Sequence, residues 1–297
     1  MQNAKCRISF QFSAVRFQFK NMTIRQTIHL IRDAVMPMYG ERESEAIARM
    51  VVCDRLSYSF SQLVAHYDDE CEIADVEHIV KELQSGRPVQ YVLGRAEFCD
   101  SVFEVAEGVL IPRPETEELV YRIAEMAKQG ARILDIGTGS GAIAISLAKL
   151  VKESEVVAID ISTEALKIAQ HNAERLGAAV GFVEADALGD LSHLGEFDII
   201  VSNPPYIPQS DIVDMRKNVV DFEPHTALFV PDNDILKFYV ATADNAQKML
   251  REGGSLWFEI YEKAGEELCA MLRGKGFLQT ELIEDANLKP RMVWSRR

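Results

Sequence analysis

The stretch Ala131-Arg132-Ile133-Leu134-Asp135-Ile136-Gly137-Thr138-Gly139-Ser140-Gly141 joins an apolar run to a glycine-rich turn. An apolar helical pattern, residues 142–151, follows directly. Glycines at this point let the backbone approach a ligand closely, at a helix N-terminus whose N–H groups are unpaired. A buried strand, a glycine turn and a helix in this order predict the first unit of a parallel α/β sheet, with a ligand site at the turn.

The next strand ends in an acid. Residues 156–160 are apolar up to Asp160, which lies about 20 residues beyond the glycine loop, as a ribose-binding acid would. Gly137, Gly139 and Ala142 also match the G-x-G-x-x-A fingerprint of dinucleotide-binding proteins. The glycine loop alone therefore does not say which cofactor binds.

A second motif, Asn203-Pro204-Pro205-Tyr206, follows the apolar run at residues 197–202. Each proline fixes its own φ and keeps the preceding residue out of the αR region, so the sequence predicts a rigid Asn203 at the carboxyl edge of the sheet. Asn203 Oδ1 and the Pro204 carbonyl can accept the protons of a planar NH2 group, and Tyr206 offers a flat face for stacking. This pattern suits methyl transfer to such a group, although a simple turn leaving a strand has a similar sequence.

The glycine loop, preceded by Asp135 and followed two strands later by this tetrapeptide, resembles the class I methyltransferases that use S-adenosylmethionine. The resemblance implies an α/β fold with a Rossmann-like seven-stranded sheet. The loop would meet the methionine part of the cofactor, and the acids after the second and third strands would meet its ribose and adenine. The implied cofactor residues are Gly137, Thr138, Gly139, Ser140, Gly141, Asp160, Asp186, Ala187 and Asn203.

Three further stretches, at residues 87–94, 110–120 and 223–228, narrow the resemblance to the release factor glutamine methyltransferases, over residues 22–297. That family methylates the side-chain amide nitrogen (N5) of the glutamine in a Gly-Gly-Gln loop of peptide chain release factors. The resemblance thus implies S-adenosylmethionine as cofactor and release factors as partners. The implied catalytic residues are Asn203, Pro204 and Tyr206, and the whole tetrapeptide would bind the acceptor.

Two details of the resemblance concern the surroundings of the site. Tyr261 stands where relatives usually carry glycine after the fifth strand, which predicts an altered turn beside the pocket without loss of activity. The sequence leaves two roles open for Arg113 and Glu117. They would either line the acceptor site or form a structural salt bridge at the domain junction.

Composition restricts the class of protein. With 47% hydrophobic and 26% charged residues, the 297-residue chain has the balance of a soluble globular protein, without an apolar run of about 18 residues. A net charge of −14 disfavours nucleic acid and suits a partner with a basic surface. Five scattered cysteines without C-x-x-C spacing predict reduced thiols in the cytoplasm, and the six dispersed histidines predict no metal site. We expect a monomer.

The sequence predicts four parts. Residues 1–21 are a poorly defined tail, residues 22–97 a helical bundle that binds release factors in the resembled family, residues 98–112 a linking β-hairpin centred on Glu107-Gly108, and residues 113–297 the catalytic domain. The bundle should begin with a capping box at Thr23 and Gln26 and an apolar stripe that Pro37 and Gly40 end. The apolar stripes of this bundle consist of Ile24, Ile28, Ile31, Val35, Ile47, Met50, Val51, Leu63, Val64, Ile79, Val80 and Leu83.

In the catalytic part, strand-like and helical patterns alternate, which predicts a mainly parallel sheet with helices on both faces. Strands are expected around Ile133, Val157, Phe182, Ile199 and Leu256, the third of them ending at Asp186. The last two strands, residues 278–283 and 291–295, have no helix between them and are expected to pair antiparallel at the sheet edge.

The tail has three open interpretations. Residues 1–20 contain four basic and no acidic residues, as a transit peptide would, whereas the alternating pairs Phe10 and Phe12, and Phe17 and Phe19, favour a strand. Alternatively, the natural chain begins at Met22.

Two rival functions remain at the level of sequence. An adenine-N6 methyltransferase acting on DNA or RNA would present its planar amine to the same tetrapeptide, but the acidic balance opposes nucleic acid. A non-catalytic, cofactor-binding scaffold for a translation partner would not need an intact Asn203-Pro204-Pro205-Tyr206 set.

Overall fold

The computed structural model describes residues 22–297, so the predictions for the tail lie outside the described residues. The chain divides after Leu93, rather than at residue 97, into two compact units. Within the described residues, no helix combines the length and apolarity needed to cross a bilayer.

The first unit is mainly helical, and its elements are β1 Met22–Thr23, α1 Ile24–Leu56, α2 Phe60–Ala65, β2 Glu70–Cys71, α3 Val76–Gln84 and α4 Val89–Leu93. The predicted capping box is confirmed, because the Thr23 side chain accepts from the Gln26 N–H and the Gln26 side chain accepts from the Thr23 N–H. Of the two residues predicted to end the first apolar stripe, Gly40 breaks the helix and Pro37 does not. Helix α1 runs through Pro37 and breaks only at Gly40, whose φ of 74° a glycine adopts without strain.

The apolar stripes of this unit form one core, which contains Ile28, Ile31, Val51 and Leu83 among others. Two residues assigned to those stripes do not belong to it. Met50 is 42% exposed and Val64 is 50% exposed, because each lies one position away from the residue that faces the core, Val51 and Leu63 respectively.

The second unit contains these elements: β3 Arg95–Phe98, β4 Ser101–Glu104, α5 Pro114–Met126, β5 Arg132–Ile136, α6 Ala142–Leu150, β6 Glu155–Asp160, α7 Thr163–Leu176, β7 Val180–Glu184, β8 Phe197–Ser202, β9 Ile207–Pro208, α8 Lys217–Val220, α9 His225–Leu228, β10 Phe229–Val230, α10 Lys237–Met249, β11 Leu250–Glu259, α11 Gly265–Gly274, β12 Gln279–Glu284 and β13 Pro290–Arg296. Its seven-stranded sheet has the order β12-β13-β11-β8-β5-β6-β7. Strand β13 runs antiparallel to both neighbours and the other pairs are parallel, which confirms the predicted sheet and its antiparallel edge.

Helices cover both faces of this sheet. Neighbouring strand residues point to opposite faces, so Ile133 packs in the core beneath α5 and α6, whereas Leu134 packs in the core beneath α10 and α11. Strands buried on both faces are continuously apolar, as the sequence of β5 is.

The hairpin lies earlier than predicted. Strands β3 and β4 pair from Arg95↔Glu104 to Phe98↔Ser101, and the chain reverses at Cys99-Asp100 rather than at Glu107-Gly108. Both turn residues have positive φ, 44° and 55°, as a tight two-residue hairpin turn requires. The prediction placed the turn at a glycine, and neither turn residue here is one.

The strand order places the polar motifs side by side. Strands β8 and β5 are neighbours, and the chain after β8 continues as Asn203 while the chain after β5 continues as Gly137. The helices that follow these strands lie on opposite faces, so a crevice opens between their carboxyl ends, where open α/β sheets bind ligands.

Candidate active site

The glycine loop exposes its backbone and buries its side chains. Gly137 is exposed and Gly139 half-buried, while Thr138 and Ser140 are buried. Gly141 has φ 83°, and a Cβ there would lie 2.8 Å from Ile145 Cδ1 and 3.1 Å from Ala169 Cβ, so only glycine fits. Of the five predicted loop residues, Gly137 and Gly139 therefore have backbone that a ligand can approach, while their N–H groups donate to Ile159 O and Asp160 Oδ2.

Asp160, at the end of β6, holds this loop in place. Its Oδ2 accepts from the Gly139 N–H at 2.8 Å and its Oδ1 from the Ser162 N–H at 2.9 Å. A carboxylate has about four acceptor sites, so two remain for the hydroxyl groups of a ribose. The predicted role of Asp160 is compatible with this geometry.

The third acid lies beyond its strand. Strand β7 ends at Glu184, two residues before the predicted end, and exposed Asp186 accepts from the Leu188 N–H at 2.9 Å. Ala187 is half-buried and packs at the edge of the core. Both residues thus follow the strand next to β6, as the adenine end of a nucleoside site would require.

Asp135 is a polar residue that the sequence reasoning left out of the site. It is completely buried below the glycine loop, its Oδ2 accepts from Thr138 Oγ1 at 2.6 Å, and its Oδ1 has no hydrogen-bond partner. Burial raises its pKa to about 7, against the opposing effect of the Thr138 hydroxyl. When ionised, Asp135 places a negative charge directly below the glycine loop, which would suit the positively charged methionine part of S-adenosylmethionine.

Replacement of Asp135 by asparagine is expected to stabilise the ligand-free protein at pH 8, by on the order of 2 kcal/mol, but not at pH 4. The folded pKa of about 7 lies above the unfolded value of about 3.9, so ionisation costs the wild type stability as pH rises through this range. Urea unfolding at both pH values measures the difference. A difference that does not change with pH would contradict this assignment.

The tetrapeptide lies against a cavity of about 530 Å³. Asn203 and Tyr206 line it, together with the charged residues Arg113, Glu259 and Arg291. Asn203 and Pro205 are half-buried and Pro204 is buried, so the segment is held by packing as well as by its prolines. Of the four predicted acceptor residues, Asn203 and Tyr206 therefore line one cavity at the carboxyl end of β8, whereas Pro204 and Pro205 do not line it.

Glu259 is the centre of a buried hydrogen-bond network behind this cavity. It is 2% exposed, and its Oε2 accepts from Thr116 Oγ1 at 2.5 Å while its Oε1 accepts from the Tyr206 hydroxyl at 3.2 Å. Burial and the adjacent Glu259 raise the pKa of Tyr206 far above its usual value, so its hydroxyl stays protonated and donates. Sequence reasoning missed both Thr116 and Glu259. The sequence signal that could have indicated Glu259 is its position as an acid directly after the apolar run Leu256-Trp257-Phe258.

Arg113 forms a salt bridge inside the second unit. Its Nη2 lies 2.5 Å from Oε1 of the buried Glu223, whose Oε2 accepts from the Ile111 N–H at 3.2 Å. Glu115, rather than Glu117, lines the cavity beside Arg113, because residues two apart point to different sides of helix α5. Arg113 thus combines the two roles that the sequence left open, lining the cavity and forming a salt bridge.

The Arg113→Ala variant is expected to lose about 3 kcal/mol of unfolding free energy, because it leaves the Glu223 carboxylate buried without its cation. Urea unfolding measures the loss. The double variant Arg113→Ala, Glu223→Gln removes the unpaired charge and is expected to recover most of it. A double variant as unstable as the single one would contradict this reading.

Tyr261 ties the segment after the tetrapeptide to the end of β11. Its hydroxyl donates to Asp211 Oδ2 at 2.6 Å, and Lys263 Nζ lies 3.8 Å from the same oxygen. Asp211 belongs to the 3₁₀ turn Gln209–Asp214, which follows β9. Tyr261 therefore anchors the turn Gln209–Asp214, which leads to Met215 in the cavity wall.

Known proteins resemble this chain over nearly its whole length. Two family models match it, the PrmC N-terminal domain at residues 36–94 and the methyltransferase small domain at residues 115–221. The release factor glutamine methyltransferase of Bacteroides thetaiotaomicron is 41% identical over 90% of this chain and 98% of its own length. The enzyme of the same name from Flavobacterium psychrophilum is 43% identical over 88% of this chain and 94% of its own.

Among solved structures, the Thermus thermophilus 16S rRNA N2 G1207 methyltransferase (RsmC) has a TM-score of 0.51 and 20% identity, over 68% of this chain and 49% of its own. At that identity the likeness shows the fold alone. The relatives in sequence show more than the fold. This chain belongs to the release factor glutamine methyltransferase family and is an S-adenosylmethionine-dependent methyltransferase.

Proposed function

We propose that this enzyme methylates a peptide chain release factor, and that the acceptor is the side-chain amide nitrogen N5 of the glutamine in its Gly-Gly-Gln loop. The observation that carries the proposal is Asn203, which is held between β8 and Pro204 and lines a cavity with Tyr206. It follows β8 directly, and β8 is the neighbour of β5, the strand that continues into the glycine loop. A carboxamide oxygen at this place can accept from an NH2 group while the nitrogen faces the cofactor crevice.

An amide nitrogen is a poor nucleophile because its lone pair is delocalised. The sulfonium of S-adenosylmethionine makes the methyl group electrophilic, so the residues of this chain have to bind the acceptor amide, orient it and exclude water. Asn203 Oδ1 and the Pro204 carbonyl would hold the two amide protons, and the face of Tyr206 would support the planar group. The proton can leave after the nitrogen has gained positive character, so a strong general base is not needed.

The cavity suits a peptide loop with one functional side chain. Its walls combine the apolar side chains of Leu110, Met215 and Val219 with the charged groups of Arg113 and Arg291. A loop rich in glycine can approach such a wall with its backbone, whose carbonyls the guanidinium groups can bind. We further propose that the helical first unit binds the body of the release factor.

The test is peptide mass spectrometry of a purified release factor after incubation with the enzyme and S-adenosylmethionine. We expect one added methyl group, on the glutamine of the Gly-Gly-Gln loop. A variant factor with alanine in place of that glutamine is the control, and DNA and RNA form parallel reactions with labelled cofactor. Methylation of nucleic acid, or of another residue of the factor, would overturn the proposal.

A further inference from the structure

The Asn203 carboxamide has two ends that are nearly equal in shape, and only its oxygen can accept from an acceptor amide. Asn203 Nδ2 lies 3.5 Å from Thr116 Oγ1, and that hydroxyl lies 2.5 Å from Glu259 Oε2. We propose that Thr116 and Glu259 are positioning residues that fix the orientation of the Asn203 carboxamide, with Oδ1 toward the acceptor. The inference rests on the proposed function, since it concerns how the NH2 group is held.

The single hydroxyl proton of Thr116 decides which partner donates in its hydrogen bonds to Glu259 and Asn203. A threonine hydroxyl has one proton and two lone pairs, and an ionised carboxylate only accepts. Thr116 must therefore donate to Glu259, at a distance typical of a charge-assisted bond. It can offer Asn203 only a lone pair, which attracts Nδ2 and repels Oδ1.

Glu259 has a pKa above its ordinary value because it is buried, and several neighbouring groups oppose that rise by favouring its ionised form. Burial raises the pKa of Glu259, and the Thr116 hydroxyl, the positive Arg291 and the Tyr206 hydroxyl lower it. Glu115 opposes them as a second negative charge, and the Tyr239 hydroxyl bonds the Glu259 backbone carbonyl at 3.2 Å. Each carboxylate oxygen of Glu259 lies within hydrogen-bond distance of a hydroxyl that can donate to it, which favours the ionised form and hence donation by Thr116.

The network also connects the two sides of the acceptor site. Thr116 lies in the first turn of α5, Glu259 ends β11 and Tyr206 closes the tetrapeptide after β8. The Glu259 carboxylate thus bonds both the Thr116 hydroxyl, which contacts Asn203, and the hydroxyl of Tyr206, whose ring would support the planar acceptor amide. A buried carboxylate at this point costs free energy unless it is bonded, so a positioning role explains why β11 ends in an acid.

The experiment measures the single-turnover rate constant of methyl transfer to a release factor, at saturating enzyme and cofactor. Thr116→Val keeps the shape of the side chain and removes the hydroxyl, and we expect a rate 10- to 100-fold lower. Thr116→Ser restores the hydroxyl and should stay within about threefold of the wild type. Glu259→Gln, which can offer Thr116 a donor, should also slow the reaction. The dissociation constant for S-adenosylmethionine should barely change in Thr116→Val. Its melting temperature should fall, because Glu259 Oε2 loses its donor, so the rates are compared well below that temperature.

The orientation itself is tested in the Asn203→Asp background. A carboxylate has two equivalent acceptor ends, so Thr116→Val should cost this background less than threefold, although it costs the wild type at least tenfold. Equal costs in both backgrounds would overturn the proposal, as would a Thr116→Ser variant as slow as Thr116→Val or a Thr116→Val variant as fast as the wild type. A wild-type enzyme that leaves the glutamine unmodified would instead refute the proposed function.

Discussion

Asn203→Ala is expected to lower the single-turnover rate of methyl transfer by about a thousandfold. The dissociation constant for S-adenosylmethionine should change less than threefold. Asn203 supplies an acceptor that aims the amide nitrogen, and this contribution is largest when the nitrogen gains positive charge in the transition state. Its one side-chain hydrogen bond within residues 22–297 is the 3.5 Å contact to Thr116, so the fold should tolerate its removal.

Rapid-quench kinetics and isothermal titration calorimetry measure the two quantities. Asn233→Ala, which removes the same side chain from an exposed position of the same unit, is the matched control and should equal the wild type in both. Equal losses of rate and of cofactor affinity in Asn203→Ala would contradict the division of roles between the tetrapeptide and the glycine loop.

Asp160→Ala is expected to weaken the binding of S-adenosylmethionine about a hundredfold. Two charge-assisted hydrogen bonds to ribose hydroxyls would be lost, and such bonds contribute about 1.5 to 3 kcal/mol each after the exchange with water, so a hundredfold loss lies near the lower limit. The variant also releases the Gly139 N–H, which Asp160 Oδ2 holds at 2.8 Å. The loop that should meet the methionine part would then lose an anchor.

Two milder variants should lose less affinity for S-adenosylmethionine in the same titration. Asp160→Asn keeps one acceptor oxygen and should lose about tenfold, while Asp186→Ala, at an exposed position beyond β7, should lose less than Asp160→Ala. The assignment of Asp160 would be contradicted if Asp160→Ala bound the cofactor as tightly as the wild type. It would also be contradicted if Asp186→Ala had the larger effect.

The sheet could be predicted because its strands are marked by local signals. Strands β5, β6 and β8 are apolar runs that end in a glycine loop, an acid and an asparagine, and alternation with helices implies parallel pairing. The hairpin turn could not be placed in the same way. Cys99 and Asp100 adopt positive φ because the pairing of β3 with β4 imposes it, and the glycine further along was the stronger local signal.

Some residues of the site could be predicted from local sequence signals, and others could not. Asn203 and Asp160 stand at the ends of strands, where sequence alone indicates an edge position. Thr116 and Glu259 are 143 residues apart and meet only because α5 packs near the end of β11. Their hydrogen bond is a property of the packed fold, and no spacing in the chain encodes it.

The crystal structure of a ternary complex with S-adenosylhomocysteine and a release factor tests the central claim most directly. The account predicts Asn203 Oδ1 about 3 Å from the amide nitrogen of the Gly-Gly-Gln glutamine, and that nitrogen facing the sulfur of the product cofactor. A complex in which Asn203 Nδ2 faces the glutamine, or in which the tetrapeptide lies away from the sulfur, would contradict it.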